Sequence, residues 1–206
     1  MAPGADSNLS VDFTDEEIAQ AIKQLKANTA PGIDSIHPEF IIHQGPKVSQ
    51  WLGAFYSSCL RRCKLPKIWR RAHINAIPKP NKPRDDPKGY RPISLLCVPY
   101  KLLERLLLSR ISPVVDPQLP REQVGFRPGK STVDQVTLLA QDIEDGLQRN
   151  EKIGVVFLDL TAAYDTVWLR GLHLKLLRTI PDRPLCSPQQ STVPQSGVEA
   201  LRSWMQ

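Results

Sequence analysis

Cysteine is scarce in this chain: Cys59, Cys63, Cys97 and Cys186 are the only four among 206 residues. Cys59 and Cys63 stand four apart on a predicted helix and share a face, but no second Cys/His pair follows at zinc-ligand spacing. That argues against a zinc module, and the pair reads as buried thiols. Long apolar runs are also missing, and nothing approaches the ~20 residues that a membrane-spanning helix needs. The first ten residues are rich in Gly, Ala, Ser and Asp, with no apolar core of the kind a signal peptide carries. An intracellular protein with no membrane partner is the simplest expectation. Internal repeats and sustained heptads are absent too, so neither a solenoid nor a coiled coil is expected. What remains is a chain long enough for one or two small domains with a real core.

Positive charge is abundant but unevenly placed. The net charge is +6, yet residues 60–130 alone hold 17 Lys/Arg against 5 Asp/Glu, a local +12. The remainder holds 10 Lys/Arg and 16 Asp/Glu, or −6. A solvated basic face is one explanation. A block this strong, interleaved with Trp69, Tyr90, Tyr100 and Phe126, fits a polyanion better. Binding through such a block releases counterions and depends on salt.

Apolar periodicity and end signals divide the chain into elements. Residues 1–12 read as unstructured. Thr14 and Glu17 form a capping box, with Phe13 and Ile18 as a hydrophobic staple, and open a helix whose stripe is Ile18, Ile22 and Leu25. It stops before Ala30-Pro31-Gly32. A second helix is predicted over 47–64, with Trp51, Leu52, Phe55, Cys59 and Leu60 on its buried side. Strands are expected over 72–77 and 93–96, joined by a Pro-rich, charged loop expected to be mobile. A helix follows over 100–115, its Leu102, Leu103, Leu106, Leu107 and Ile111 apolar and its Lys101, Arg105 and Arg110 solvated. Ser131 and Asp134 cap another helix, which runs to about residue 148. Its apolar face is Val133, Val136, Leu139, Ile143 and Leu147. A last amphipathic helix spans about 169–177. Residues 181–195 are rich in Pro, Ser and Gln and read as disordered; 198–204 hold a short apolar patch.

The most telling stretch is Gly154-Val155-Val156-Phe157-Leu158-Asp159-Leu160-Thr161-Ala162-Ala163-Tyr164-Asp165. A short β-branched run ends in a carboxylate, as when a buried strand delivers one Asp to the edge of a site. An aromatic and a second Asp follow. Oxygen ligands suit Mg²⁺, and phosphoryl transfer commonly employs a metal pair. A strand end merely capped by Asp is the plain alternative.

Three further motifs precede this run. They are Ile77-Pro78-Lys79-Pro80-Asn81-Lys82, then Gly89-Tyr90-Arg91-Pro92-Ile93-Ser94-Leu95-Leu96, then Gln123-Val124-Gly125-Phe126-Arg127-Pro128-Gly129-Lys130-Ser131-Thr132. In this order and spacing the chain resembles the reverse transcriptase of non-LTR (LINE-type) retrotransposons over residues 13–180. The Pro31-Gly32-Ile33-Asp34 segment resembles the stretch before the fingers of that family, although Thr29 stands where a basic residue is usual.

The resemblance implies an α+β fold: the fingers and N-terminal half of the palm of a right-hand polymerase, with an incomplete antiparallel palm sheet and packed helices. The implied divisions are a helical extension at 13–72, fingers at 73–150, a partial palm at 151–181 and a non-family tail at 182–206. It also implies template-directed nucleotidyl transfer with Mg²⁺, a dNTP, an RNA template and a DNA primer. Asp159 matches the first metal-binding aspartate, with the Leu160 carbonyl as a further ligand. Tyr164 matches the aromatic under the nucleotide sugar, and the resemblance implies that Leu160, Ala162 and Ala163 bind the nucleotide with it. Asp165 reads as a cap, not a ligand. Lys79 and Arg91 match basic finger residues near the triphosphate, and Arg127 and Lys130 match a loop that meets template or nucleotide. Lys130 stands where Arg is usual, which keeps the charge but loses the planar fork.

One family feature is missing. The aromatic-x-Asp-Asp hairpin that supplies the other metal carboxylates has no counterpart; no adjacent Asp-Asp follows Asp85-Asp86. The expectation is a truncated fragment that does not polymerise alone, since Mg²⁺ binds weakly to a lone carboxylate. The alternatives are a non-catalytic basic nucleic-acid-binding remnant, and a polymerase completed by a partner chain. The strand at 154–159, lacking its neighbour, is expected to expose an apolar edge open to aggregation or strand pairing.

Overall fold

The computed structural model describes Leu9, residues 11–160, Ala163 and residues 166–180. Expectations for Thr161, Ala162, Tyr164, Asp165 and everything past 180 lie outside these residues. The chain forms α1 (Asp15–Lys23), α2 (Pro38–Ile42), α3 (Pro46–Arg62), β1 (His73–Pro78), β2 (Tyr90–Leu95), α4 (Val98–Val115), α5 (Thr132–Gln148) and α6 (Leu169–Thr179). This is an α+β fold with one small antiparallel sheet flanked by helices.

α1, α3 and α4 build the core. Ile18, Tyr56, Leu102 and Leu106 are fully buried there, with Leu52, Cys59, Trp69 and Leu103 around them. The capping box at Thr14 forms in full: Glu17 N–H donates to Thr14 Oγ1 and Thr14 N–H to Glu17 Oε2. The buried hydroxyls find carbonyls, as buried polar groups must. Tyr56 donates to Pro99 O at 2.9 Å, and Ser57 donates to Gly53 O at 2.8 Å while accepting from Phe13 N–H. An aromatic chain runs from Trp51 stacked on Phe55, through Trp69 set edge-on to Phe55, to Tyr100. Gly32 is where the Pro31-Gly32 motif touches this core. A Cβ there would lie 2.4 Å from the backbone nitrogen of Cys97, so only glycine permits the approach.

Several expectations are corrected. On α3 the buried face centres on Leu52, Gly53, Tyr56 and Cys59, and Trp51 is 61% exposed. Its ring is stacked on Phe55 outside the core. Arg105 and Arg110, read as solvated, are both engaged. Arg105 donates to the Gln24 carbonyl. Arg110 forks onto both carboxylate oxygens of Glu17 at 2.6 Å, donates to the carbonyls of Val11 and Asp12, and lies 4.2 Å over the Phe13 ring. Leu9, Val11 and Asp12, expected to be unstructured, are thereby tied down: Leu9 is buried, and Asp12 also pairs with Arg61.

The largest correction concerns the expected palm strand. Residues 151–160 form neither strand nor helix, and Val156, Phe157 and Leu158 are 82–90% exposed. Among the described residues the sheet consists of β1 and β2 alone. A strand needs a ladder partner for its backbone groups, and none of the described residues offers one to this run. The apolar face expected for α5 is only partly covered for a related reason: Leu139 and Ile143 are half-buried, whereas Val133, Val136 and Leu147 are well exposed. No helix among the described residues is long and apolar enough to cross a membrane.

Candidate nucleic-acid interface

The β1–β2 hairpin carries the first two basic candidates. Its register pairs Ile77 with Arg91 and Pro78 with Tyr90. Lys79 N–H donates to Gly89 O at 2.7 Å and continues the ladder by one step. Strand alternation therefore puts Lys79 on the Ile77–Arg91 side. The Lys79 ammonium donates to the Lys88 carbonyl at 2.8 Å, whereas Arg91 is exposed.

The loop between the strands is folded on itself. Asp86 accepts from Lys88 N–H at 2.9 Å and caps a short turn. The Tyr90 hydroxyl donates to Arg84 O at 2.9 Å. Gly89 is buried at the loop base, where a Cβ would collide with the Pro83 carbonyl at 2.4 Å. These contacts hold Lys82, Arg84 and Lys88, all exposed, around the tip.

The Gly125–Lys130 loop carries the second pair. Arg127 is only partly exposed. Its guanidinium donates to the carbonyls of Pro120 (3.1 Å), Gln123 (3.2 Å) and Asp116 (3.1 Å). Three anchors on one planar fork fix the loop against the end of α4. Lys130 N–H closes a turn onto Arg127 O, and its side chain is exposed beside the capped start of α5. Sequence reading missed the bracing contacts of Arg127, because carbonyl partners leave no side-chain signature.

Asp159 sits in the extended segment before α6, exposed between Leu158 and Leu160. Ala163 is exposed, and its carbonyl accepts from the Thr166 hydroxyl at 3.2 Å. Lys79 and Arg91 thus share one side of the hairpin, and Arg127 and Lys130 share one turn. No hydrogen bond or ion pair among the described residues joins Asp159 to either pair. Nor does any group of three His, Cys, Asp or Glu among them cluster as metal ligands would. Mg²⁺ prefers several oxygen ligands in near-octahedral order, and a single exposed carboxylate does not supply them. The described residues alone do not fit a two-metal centre.

A sequence-family model described as "Reverse transcriptase (RNA-dependent DNA polymerase)" matches residues 77–195, more than half of the chain. The chain belongs to the reverse transcriptase family. Its relatives place it among the non-LTR retrotransposon members. It is 39% identical over 168 residues to the "Probable RNA-directed DNA polymerase from transposon BS" of Drosophila melanogaster, covering 81% of this chain and 18% of that protein. It is 35% identical to the "RNA-directed DNA polymerase from mobile element jockey" of Drosophila funebris, covering 84% and 19%. A third, from transposon X-element of Drosophila melanogaster, is 34% identical and covers 80% and 18%. The chain therefore spans about a fifth of the length of these reverse transcriptases. Residues 77–195 contain the end of β1, the hairpin loop, β2, the Gly125–Lys130 loop and the Asp159 segment, and with them every candidate residue.

Proposed function

We propose that this chain carries the fingers and the first half of the palm of an RNA-directed DNA polymerase of a non-LTR retrotransposon. Template-directed nucleotidyl transfer, with its Mg²⁺, is the work of the longer enzyme, and this chain alone does not polymerise. The single observation behind this reading is the basic hairpin and loop, set before Asp159 in a chain of the reverse transcriptase family.

In this reading Arg91 offers its exposed fork to phosphate oxygens of a bound dNTP, and Lys79 supplies a nearby point charge once it exchanges its carbonyl partner. Lys130 meets the template backbone. Arg127 braces the loop that presents Lys130, a positioning role. Asp159, the Leu160 carbonyl, Ala162, Ala163 and Tyr164 form the nucleotide-facing turn of the palm in the longer enzyme. RNA template and DNA primer are the macromolecular partners.

The test is primer extension on an RNA template with dNTPs and Mg²⁺, comparing this chain with its Asp159→Ala variant. The expected outcome is no incorporation by either. Incorporation that disappears in Asp159→Ala overturns the claim that the chain is incomplete.

A second reading, a non-catalytic basic nucleic-acid-binding module, is favoured because no group of metal-ligating side chains gathers around Asp159 among the described residues. It predicts RNA binding unchanged by Asp159→Ala and weakened by Arg91→Ala and Lys130→Ala.

A further inference from the structure

A cationic turn lies outside both the hairpin and the Gly125–Lys130 loop. No Asp or Glu occurs from residue 40 to residue 84, a run that holds ten Lys/Arg. Five of these, Arg62, Lys64, Lys67, Arg70 and Arg71, fall within ten residues, where α3 ends and the chain turns toward β1. All five are exposed, and none makes an ion pair or a side-chain hydrogen bond among the described residues. Their neighbour Arg61 differs, because it pairs with Asp12. Arg62 suits the negative end of α3 in its own right, whereas Lys67 and Arg70 have no such local role.

The turn is fixed by packing within this chain. Cys63 takes a left-handed conformation (φ 49°) and closes α3, and Lys64 N–H donates to Cys59 O at 3.2 Å. A 3-10 turn, Lys67–Arg70, follows. Its Trp69 is buried, edge-on to Phe55 at 5.7 Å and beside Tyr56 and Tyr100. Side chains three apart eclipse in such a turn, so Lys67 and Arg70 share one face while Trp69 enters the core. Leu60, Leu65 and Pro66 are half-buried, and Ile68 is the exposed apolar residue of the stretch. The apolar side of the turn is thus already covered by α3 and α4, and what faces outward is mainly charge.

Crowded cations without acids repel one another, and a string of phosphates supplies the missing negative charge. The Trp69 ring, which could stack on a base, is committed to the core. Contact is therefore with phosphates and is indifferent to sequence. Anionic lipid headgroups share the phosphate chemistry, but a membrane surface also needs an apolar face to bury, and Ile68 alone does not make one. Continuity favours nucleic acid as well. β1 begins two residues after Arg71, and its six residues at ~3.3 Å each run roughly 20 Å to the Lys79 end of the hairpin, so positive charge follows a line as a strand of phosphates does.

We propose that the turn of Arg62, Lys64, Lys67, Arg70 and Arg71 is a second nucleic-acid contact, which grips the phosphate backbone of single-stranded RNA without reading its bases. It rests on the function proposed above for RNA as the polyanion, and takes none of its residues from there.

The test is equilibrium binding of a single-stranded RNA to the whole chain over a salt series, with Lys67→Ala/Arg70→Ala and Lys130→Ala in parallel. Each cation on a phosphate adds about 0.7 to the log–log salt slope, so the double variant is expected to lose about 1.4 of it. Lys67→Arg/Arg70→Lys keeps both charges and is expected to keep the parent slope. Both side chains are exposed and unpartnered, so the urea midpoints of these variants should match that of the parent. An RNA of permuted sequence should show the same loss, and a loss confined to one sequence overturns the inference. A double variant with the parent slope, beside a shallower slope in Lys130→Ala, overturns it too and leaves the loop assignment standing. The opposite pattern supports the turn and removes the loop. Absence of salt-dependent RNA binding by the parent, whether or not it sediments with phosphatidylserine vesicles, overturns both.

Discussion

The α1–α3–α4 block and the stretch from α5 to Leu160 are built from equally apolar sequence, yet they bury it very differently. Tyr56, Leu102 and Leu106 are at 0% exposure, while Val136, Leu147 and Phe157 are at 61–83%. Both regions carry good local signals, and both α1 and α5 open with a complete capping box. What separates them is a partner. α1 lays its stripe on α3 and α4 and is locked there by Arg110, whereas Val133, Val136 and Leu147 of α5 remain open to solvent. Periodicity fixes which face of an element is apolar, and tertiary context decides whether anything covers it.

The largest effect that sharpens this contrast is a cavity. Leu102→Ala should cost about 2–5 kcal/mol of stability, while Val136→Ala on α5 should stay within ~0.5 kcal/mol, both read from urea denaturation. Equal losses at the two sites would erase the distinction between the regions.

The next effect concerns a buried acid in the well-packed block. Glu104 on α4 is buried and its Oε1 has no hydrogen-bond partner. Burial pushes its carboxyl from 4.5 up to about 7, against the opposing influence of Tyr100 and Lys101. The folded state therefore holds a proton that the unfolded chain releases from about pH 4.5 upward. Stability should fall as pH rises from about 4.5 to 7 and then level off, a loss on the order of 3 kcal/mol. Glu17 acts below that window. The Arg110 hydrogen bond holds its carboxyl low against the effect of its burial, so its contribution fades only as pH drops beneath about 4.5. Glu104→Gln should flatten the profile between pH 4.5 and 7, measured as the denaturation midpoint against pH. A profile unchanged by the substitution would show that Glu104 does not stay protonated in the fold.

A smaller loss is expected at the clasp. Arg110→Ala leaves Glu17, the Val11 and Asp12 carbonyls and the Phe13 ring without their common partner, at a cost of about 2 kcal/mol. That is less than for a fully buried pair, because Glu17 is partly exposed. Arg110→Lys should recover only part of it, since lysine keeps the charge and loses the fork. The smallest of these effects belongs to Arg127→Ala, which removes three carbonyl anchors and should speed limited proteolysis at residues 120–130 while lowering global stability by about 1 kcal/mol.

Much of the fold is legible in the sequence, for reasons tied to particular residues. Thr14 with Glu17, and Ser131 with Asp134, announce helix starts because capping is local chemistry. The hairpin is legible because Pro- and Gly-rich segments bracket two β-branched runs. What stays hidden is whatever depends on distant partners. Arg110 looks like a solvated helix cation until Glu17 is folded against it. Glu104 looks like an ordinary surface acid at i+3 from Lys101. The run at 154–158 reads as a strand because its residues favour one, but a strand exists only with a neighbour. Of the candidate site, the basic residues and Asp159 are identified by motif, while the bracing of Arg127 and the carbonyl contact of Lys79 emerge only in three dimensions.

The most direct test of the functional account is equilibrium binding of a single-stranded RNA across a series of salt concentrations. The parent chain is compared with Lys130→Ala and with Arg91→Ala. The account predicts affinity that falls steeply with salt. It also predicts a log–log salt slope shallower by about 0.7 in Lys130→Ala, because that side chain neutralises one phosphate of the strand, and an unchanged slope in Arg91→Ala, whose side chain serves the dNTP. Asp159→Ala should leave the slope unchanged as well. Affinity indifferent to salt, or a Lys130→Ala variant with the slope of the parent, would contradict the assignment of the loop as a nucleic-acid interface.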